Sequence, residues 1–379
     1  MIYFDHAATT MVDRKILLNF MTSLEKRFAN PSSSYALGKK ENEALNNARS
    51  IIATAFSVPY EAVYFANSAT IAANIILQGY CCYLQTLGAN KNEIIISEIE
   101  HPAVYNTANF LQSKGFILHQ VKVDMNGQIA IDHFRSLLNK KTALVAIMSV
   151  NNEIGSIQPV PELVKIVKDF DESIFFVSDF VQGIGKISID HIRDIDAWFI
   201  AGHKIGAPKG IACFYLRPSF RINPILFGGG QELGVFPGTS DSVMPSILAQ
   251  CIVNNLNLFY EYKEKHKALR KNLLDQLNKH HVQYDLTVPT QLSIPSIVSI
   301  HFQGISANHL ATALEKKDIF VATKSACSSF CSTDSHVIKV IKLRKNKKFS
   351  PIRISFSHLN KKYEVNNFVS TLLDVLEPV

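Results

Sequence analysis

A lysine just past a strand end, a cysteine on a polar loop and several polar residues at other strand ends are the features of this chain that could do chemistry. Lys204 lies in Ala-Gly-His-Lys-Ile-Gly-Ala-Pro-Lys-Gly, residues 201–210. Apolar runs at 196–200 and 211–216 flank it and read as buried strands, with Gly and Pro punctuating the loop between them. A lysine there can reach into a cleft, and lysine forms Schiff bases with carbonyl compounds; a solvated surface lysine is the other reading. Cys327 lies in 322–335, a stretch rich in Ser and Thr. That composition predicts a mobile, solvent-facing loop. A free cysteine is unusual in such a place because it prefers burial, which makes Cys327 a candidate nucleophile. Cys331 reads as a spare thiol or as packing for the loop base.

Other residues suit the same chemistry. Ser68, Ala69 and Thr70 follow an apolar run at 62–65 and precede a helical stretch at 71–77. A strand, a small polar turn and a helix start present free backbone N–H groups to an anion; a plain helix N-cap accounts for the same residues. Asp179 closes an apolar run at 174–177 and could either protonate a ring nitrogen or cap the next turn. His101 could stack on a ring face. Arg353, placed beside an apolar strand, could pair a carboxylate in bidentate fashion. A lysine, a strand-end acid and a phosphate site are what an enzyme carrying pyridoxal phosphate requires.

The elements that must position these residues alternate. Strands are predicted at 93–97, 116–123, 142–150 and 174–177, and helices at 37–56, 71–77, 103–114 and 161–170. This pattern implies an α/β fold with a mainly parallel sheet covered on both faces. Ligands bind such sheets outside the carboxyl ends of the strands, which gives joint weight to Ser68, Thr70, His101, Asn151, Asn152, Glu153, Asp179, Gln182, His203 and Lys204. The loop at 227–240, rich in Gly and Pro and containing Thr239, is long enough to suggest a functional role. A composition shift near Asn255 suggests a smaller C-terminal domain. It would hold a charged helix at 261–279, strands near 296–302 and 352–356, and helices at 307–316 and 365–376.

With 379 residues, 47% of them hydrophobic and 19% charged, the chain can fill a sizeable core in two domains or in one with an appendage. A net charge of +7 is modest for this length and is not that of a dedicated nucleic-acid binder. No apolar run approaches the roughly 20 residues that span a bilayer, and the first residues lack a basic region followed by an apolar one, so neither membrane insertion nor a signal peptide is expected. The six cysteines are scattered with no CxxC, which predicts reduced thiols and a cytoplasmic protein.

Taken in order, the motifs resemble those of cysteine desulfurases of the NifS/IscS type, in the class V aminotransferase-like, fold-type I group. They are Asp5-His6-Ala7-Ala8-Thr9-Thr10; Asn30-Pro31-Ser32-Ser33; Ser68-Ala69-Thr70; Glu100-His101; Asn151-Asn152-Glu153-Ile154-Gly155; Asp179 with Gln182 and Gly185-Lys186; Gly202-His203-Lys204; Gly238-Thr239; Ser325-Ala326-Cys327; and Ile352-Arg353-Ile354-Ser355. The resemblance runs almost end to end. It implies a mainly parallel seven-stranded sheet flanked by helices, with 14–254 as the large pyridoxal-phosphate domain. Residues 1–13 and 255–379 would form a smaller α+β domain carrying the cysteine loop at about 323–336. It further implies that Lys204 bonds the cofactor, Asp179 pairs with its ring nitrogen, Gln182 bonds its ring hydroxyl and Asn152 supports the same side. His101 would stack on the ring and handle protons. Ala69, Thr70 and His203 would hold the phosphate, with Thr239 supplied by the neighbouring subunit of a homodimer. Arg353 and Asn30 would take the carboxylate of L-cysteine. Cys327 would attack the substrate sulfur, leaving a persulfide on the enzyme and releasing L-alanine. No metal and no membrane contact is implied.

The chain departs from the pattern in several places. Ile71 stands where an acidic residue is usual, Ala201 where a serine is, Phe236 where an arginine is, Thr323-Lys324 where Ser-Gly is common, and His358 in place of a second arginine. The first three imply weaker phosphate or substrate anchoring. Lys324 or His101 could lower the pKa of Cys327. A selenocysteine lyase or an aminotransferase of the same fold, or a non-catalytic paralogue serving as an assembly partner, fits the same motifs less fully. The length of the cysteine loop resembles the subgroup that hands sulfur to iron–sulfur scaffolds or to tRNA-thiolation partners. The basic run over 339–353 reads as a solvated face or as a dock for an acidic partner; no direct nucleic-acid contact is expected.

Overall fold

The computed structural model describes residues 1–323, 335–345 and 349–376. Lys324, Cys327 and Cys331 lie outside the described residues, and so does the expectation of a mobile cysteine loop. The chain begins with β1 (Ile2–Tyr3), α1 (Arg14–Lys26), α2 (Ala36–Phe56), β2 (Val63–Ala66) and α3 (Ala69–Thr86). It continues through β3 (Glu93–Ser97), α4 (Pro102–Ser113), β4 (Ile117–Val121), α5 (Ile131–Leu137), β5 (Thr142–Ala146), α6 (Val160–Phe170) and β6 (Phe175–Asp179). After β7 (Ala197–Ala201) and β8 (Ala212–Leu216) come α7 (Val243–Asn257), α8 (Phe259–Lys279), β9 (Tyr284–Leu286) and β10 (Ile297–Phe302). The last elements are α9 (Ala307–Glu315), β11 (Ile319–Phe320), α10 (His336–Lys345), β12 (Ile352–Ser355) and α11 (Lys362–Leu376).

The main sheet has seven strands in the order β2-β8-β7-β6-β5-β3-β4. Its pairs are parallel except those made by β8, which runs against both β7 and β2. Strands β2, β3, β5, β6 and β7 therefore share one direction, and their carboxyl ends lie along one edge. Both faces are buried, and the alternation of side chains divides them. Ile95, Val145, Phe176 and Trp198 enter one core with α2, α6 and α7, whereas Ile94, Ile96, Leu144, Phe175 and Phe199 enter the other with α3 and α4. Burial on both sides is why these strands read as continuous apolar runs, and each large side chain so buried contributes about 1.5–3 kcal/mol.

A second, antiparallel sheet, β12-β10-β9, packs on α8, α9 and α11. The first residues of the chain pack into the same core, Ile2 and Phe4 among them. Strand β1 pairs with β11, Ile2 opposite Ile319, and the ring of Phe4 meets Phe356 edge-on at 5.5 Å. Period-two alternation puts Ile352 and Ile354 of β12 into this core and turns Arg353 and Ser355 to the other face. Arg353 is thus buried inside the strand predicted near 352–356. The composition shift near Asn255 falls in the last turn of α7.

The basic run also reads differently in the fold. Arg344 makes a bidentate bridge to Glu98, at 2.8 and 2.9 Å, Lys345 donates to the Thr287 carbonyl at 2.6 Å, and Arg353 bridges Asp5. These three charges are engaged within the chain, which thins the face available to an acidic partner. Among the described residues no helix is long and apolar enough to cross a membrane.

Candidate functional site

Lys204 follows β7 on a single tight turn, Gly202–Lys204. Gly202 is needed there because a Cβ would sit 2.9 Å from Ile211 Cγ2 and 3.0 Å from Ala207 Cβ. Gly206, at φ +88°, then reverses the chain toward β8 in a conformation that favours glycine. The Lys204 Nζ donates to the carbonyl oxygens of Ala7 and Ala8, each at 2.7 Å. The Ala7 carbonyl also accepts from Gln182 Nε2 at 2.9 Å, and the Ala7 N–H donates to Ser355 Oγ at 2.9 Å. The N-terminal segment thus forms one wall of the lysine's surroundings.

The neighbouring strands supply the rest. Asp179 is the last residue of β6; its Oδ1 accepts from the Val181 N–H at 2.9 Å. Burial pushes its pKa up to about 6 against the pull of that N–H and of the Lys204 charge. His101 caps α4, with Nδ1 accepting from the Ala103 N–H at 3.1 Å. That bond leaves the neutral ring's proton on Nε2. Burial first, then the Lys204 and His336 charges, hold its pKa down at about 4. Ser68 caps α3 by accepting from the Ile71 N–H at 3.2 Å. The amides of Ala69 and Thr70 are first-turn donors without intrahelical partners. His203 lies 3.3 Å from Thr9 Oγ1, and burial followed by the Lys204 and Lys209 charges brings it to about 4.

These groups line one cavity of about 230 Å³, together with Asn152, Met148, Phe199 and Ala201. It combines an amine, a buried acid, a helix N-terminus and a neutral imidazole. That donor set suits an aromatic carbonyl compound with a ring nitrogen and an anionic tail. Lys204 supplies the amine, Asp179 the acid for the ring nitrogen, and the Ala69 and Thr70 amides the anion site. The residues present therefore fit pyridoxal phosphate.

Comparison with known proteins follows the same lines. The family "Aminotransferase class-V" matches residues 2–368. The chain belongs to the class-V aminotransferase family. A cysteine desulfurase IscS of Clostridium botulinum (strain Kyoto / Type A2) is 30% identical over 380 aligned positions, covering 99% of this chain and 94% of that protein. A solved structure described as a NifS-like protein superposes with a TM-score of 0.90 at 29% identity, covering 99% of each chain. Another, described as SspA in complex with cysteine, does so with a TM-score of 0.79 at 25% identity, covering 94% of this chain and 99% of the other. Class-V aminotransferase enzymes of this kind are pyridoxal-phosphate-dependent, and the seven-stranded α/β sheet is that of fold-type I.

Within this class-V fold the residues expected from the sequence divide. Ala69, Thr70, His101, Asn152, Asp179, Gln182, His203 and Lys204 meet at the cavity. Arg353 does not line it, but reaches its rim through Nη1, which donates to the Asn152 carbonyl at 2.9 Å. Its Nη2 bonds Asp5 Oδ1 at 2.5 Å, and its buried Nε has no partner among the described residues. Thr239 lines a separate depression of about 380 Å³ with Phe65, Gly210 and Met244. Asn30 sits on an exposed turn, where its Oδ1 accepts from the Ser32 N–H at 2.9 Å.

The described residues on either side of 324–334 are bonded beside the site. On one side Ala322 and Arg353 exchange backbone hydrogen bonds. On the other, Ser335 Oγ donates to buried Glu153 at 2.6 Å, and His336 Nε2 lies 2.8 Å from the Glu100 carbonyl. Four participants were not legible as such. The Ala7 and Ala8 carbonyls hold Lys204. Lys186 donates to Gln182 Oε1 at 2.5 Å, and burial followed by the Lys204 and Arg353 charges brings it down to about 7. Glu100 accepts from Ser97 Oγ and the Met148 N–H at 2.6 and 2.9 Å, and burial raises it to about 8. The motifs Asp5–Thr10, Gly185-Lys186 and Glu100-His101 marked their places, but residue type alone did not disclose these bonds.

Proposed function

We propose that this chain is a pyridoxal-phosphate-dependent cysteine desulfurase, which takes the sulfur of L-cysteine onto Cys327, releases L-alanine and passes the sulfur to an acceptor protein. The observation that carries this reading is the meeting of Lys204, Asp179, His101 and the α3 N-terminus in one cavity, with Ser335 and His336 bonded to Glu153 and Glu100, the neighbours of the lining residues Asn152 and His101. Cys327 lies four positions beyond Thr323, a reach of up to about 14 Å for extended chain. The names of the relatives, cysteine desulfurase IscS and NifS-like protein, agree with it.

Pyridoxal phosphate supplies an electron sink that lets the Cα–H bond of a bound amino acid break. Lys204 would hold it covalently, Asp179 its ring nitrogen, Gln182 its ring hydroxyl, and Ala69, Thr70 and His203 its phosphate, with Thr239 of the partner subunit. Asn152 and His101 would flank the ring. Arg353 would take the substrate carboxylate, a role its unpartnered Nε supports, with Asn30 as its companion. Lys204 then moves the Cα proton, and the neutral His101 ring can give or take one at Nε2. The Cys327 thiolate attacks the substrate sulfur. The S–S bond forms as the Cβ–S bond breaks, the electron pair left on carbon is protonated at Cβ, and L-alanine departs.

A homodimer is part of this reading, and the distance of Thr239 from its own chain's cavity supports it. So is a division into a cofactor domain, 14–254, and a smaller one formed by 1–13 and 255–379. The acceptor is an iron–sulfur scaffold or a tRNA-thiolation enzyme in the cytoplasm. The test is L-cysteine turnover by the pyridoxal-loaded protein. Stoichiometric alanine, a persulfide mapped to Cys327 and a borohydride-trapped adduct at Lys204 are expected. Alanine formation that survives Cys327→Ala, or amino transfer to a keto acid in its place, would sink the proposal.

A further inference from the structure

Behind Lys204 lies a second, much smaller cavity of about 30 Å³ at the seam between the main sheet and the β12 side of the fold. Lys186, His6, His266, Ser296 and His358 contribute to its wall. His6 Nε2, His266 Nε2 and Ser296 Oγ are buried and have no hydrogen-bond partner among the described residues. Their residues are 3%, 6% and 2% exposed, so bulk water does not satisfy them. Leaving three such groups unmade costs roughly 1–3 kcal/mol each, which argues for an occupant. No carboxylate stands among the described lining residues.

We propose that this cavity is a binding site for a monatomic anion, chloride being the physiological case. Lys186 supplies the charge; among the described residues its one hydrogen-bond acceptor is the neutral Gln182 Oε1, at 2.5 Å. Its ammonium is buried near the Lys204 and Arg353 charges, which is why it holds its proton weakly; an anion provides the missing countercharge. His6 and His266, both kept neutral by burial, donate through Nε2 in the tautomer that places the proton there, and Ser296 donates through Oγ. Several donors along one cavity wall suit an acceptor-only occupant better than water, which accepts about two hydrogen bonds. The volume admits a water molecule or a monatomic ion. The ion would join α8, through His266, and the loop before β10, through Ser296, to the N-terminal segment whose Ala7 and Ala8 carbonyls hold Lys204. This assignment does not depend on the desulfurase reading.

The test uses the protein as purified with its cofactor. Crystals grown in sodium bromide should give an anomalous peak between Lys186 Nζ, His266 Nε2 and Ser296 Oγ. Replacing gluconate by chloride at constant ionic strength should raise Tm saturably, by roughly 2 °C. Lys186→Met should remove both signals. Ser296→Val, which fills the cavity without touching the lysine, should do the same and keeps the test decisive if the first variant does not fold. No bromide peak, a Tm indifferent to halide, or a peak that persists in the folded variants as an adventitious ion only would each overturn the proposal.

Discussion

Lys204 donates through Nζ to the carbonyl oxygen of Ala7 at 2.7 Å, across 197 positions of sequence. A second bond of the same length reaches Ala8. The N-terminal segment is held in turn by β1, paired with β11, and by Ser355. The position of the site's amine therefore depends on a contact between the two ends of the fold. Lys204→Ala should abolish covalent cofactor attachment and lower turnover at least about a thousandfold. It also removes a charged donor from two carbonyls, so the cofactor-free variant should lose about 1.5–3 kcal/mol of stability, measured by denaturant titration. A variant as stable as the parent would show that these bonds do not support the N-terminal segment.

Asp179 gives a prediction with a definite sign. Its folded pKa of about 6 exceeds the ordinary 3.8 because the carboxyl is buried. Between those values the folded protein keeps a proton that the unfolded chain has lost. The stability of cofactor-free protein due to this group therefore falls as pH rises from about 4 to about 6, and does not recover above that. Asp179→Asn removes the effect. At pH 7 the cofactor-free variant should be more stable than the parent by on the order of 2–3 kcal/mol, while turnover falls at least about a hundredfold. Denaturant titrations at pH 4, 6 and 7 check the sign; a variant less stable than the parent at pH 7 contradicts the assignment.

His101 has the opposite sign. Its folded pKa, about 4, lies below the ordinary 6.5. The unfolded chain takes up a proton that the folded protein refuses, so stability from this group is complete above about pH 6.5 and is lost as pH falls toward 4. His101→Asn keeps a side-chain acceptor for the Ala103 N–H at the start of α4 and removes the titrating ring. The variant should match the parent at pH 8 within about 1 kcal/mol, lose less stability on acidification, and turn over cysteine at least tenfold more slowly. An acid limb identical to the parent's would show that His101 does not titrate in this range.

Much of this was legible in the chain. The apolar runs around Ile94–Ile96 and Phe175–Val177 announced buried parallel strands because both of their faces are covered. Lys204, Asp179 and His101 stood out because their side-chain chemistry is specific and strand ends are where such sheets bind ligands. The Ala7 and Ala8 carbonyls did not stand out, since every residue carries one and only the fold decides which is aimed at a lysine. Arg353 could be chosen from sequence, but its commitment to Asp5 and the Asn152 carbonyl could not. Those bonds depend on β12 pairing with β10 and on the N-terminal segment crossing it. Lys186 stood in the Gly185-Lys186 motif, but its burial and its bond to Gln182 did not show, because burial of a long polar side chain leaves no mark in local composition.

Ala201 is the departure from the family pattern whose consequence is most direct. It is buried, ends β7, and lines the cavity beside His203 and the α3 N-terminus. A hydroxyl there would have room to grow into the cavity instead of into the core, because the residue's side chain already faces the lining. Ala201→Ser adds a donor on the side of the cavity where Ala69 and Thr70 offer their amides. One hydrogen bond to an anionic group is worth about 1.5–3 kcal/mol when well made. Cofactor Kd should therefore fall by roughly tenfold or more, read by absorbance titration of the apoprotein, with a smaller gain in turnover at saturating cofactor. Tighter binding confined to Ala201→Ser, and absent in Ala201→Val, would tie the gain to the hydroxyl; equal affinity in the serine variant and the parent would place the phosphate elsewhere in the cavity.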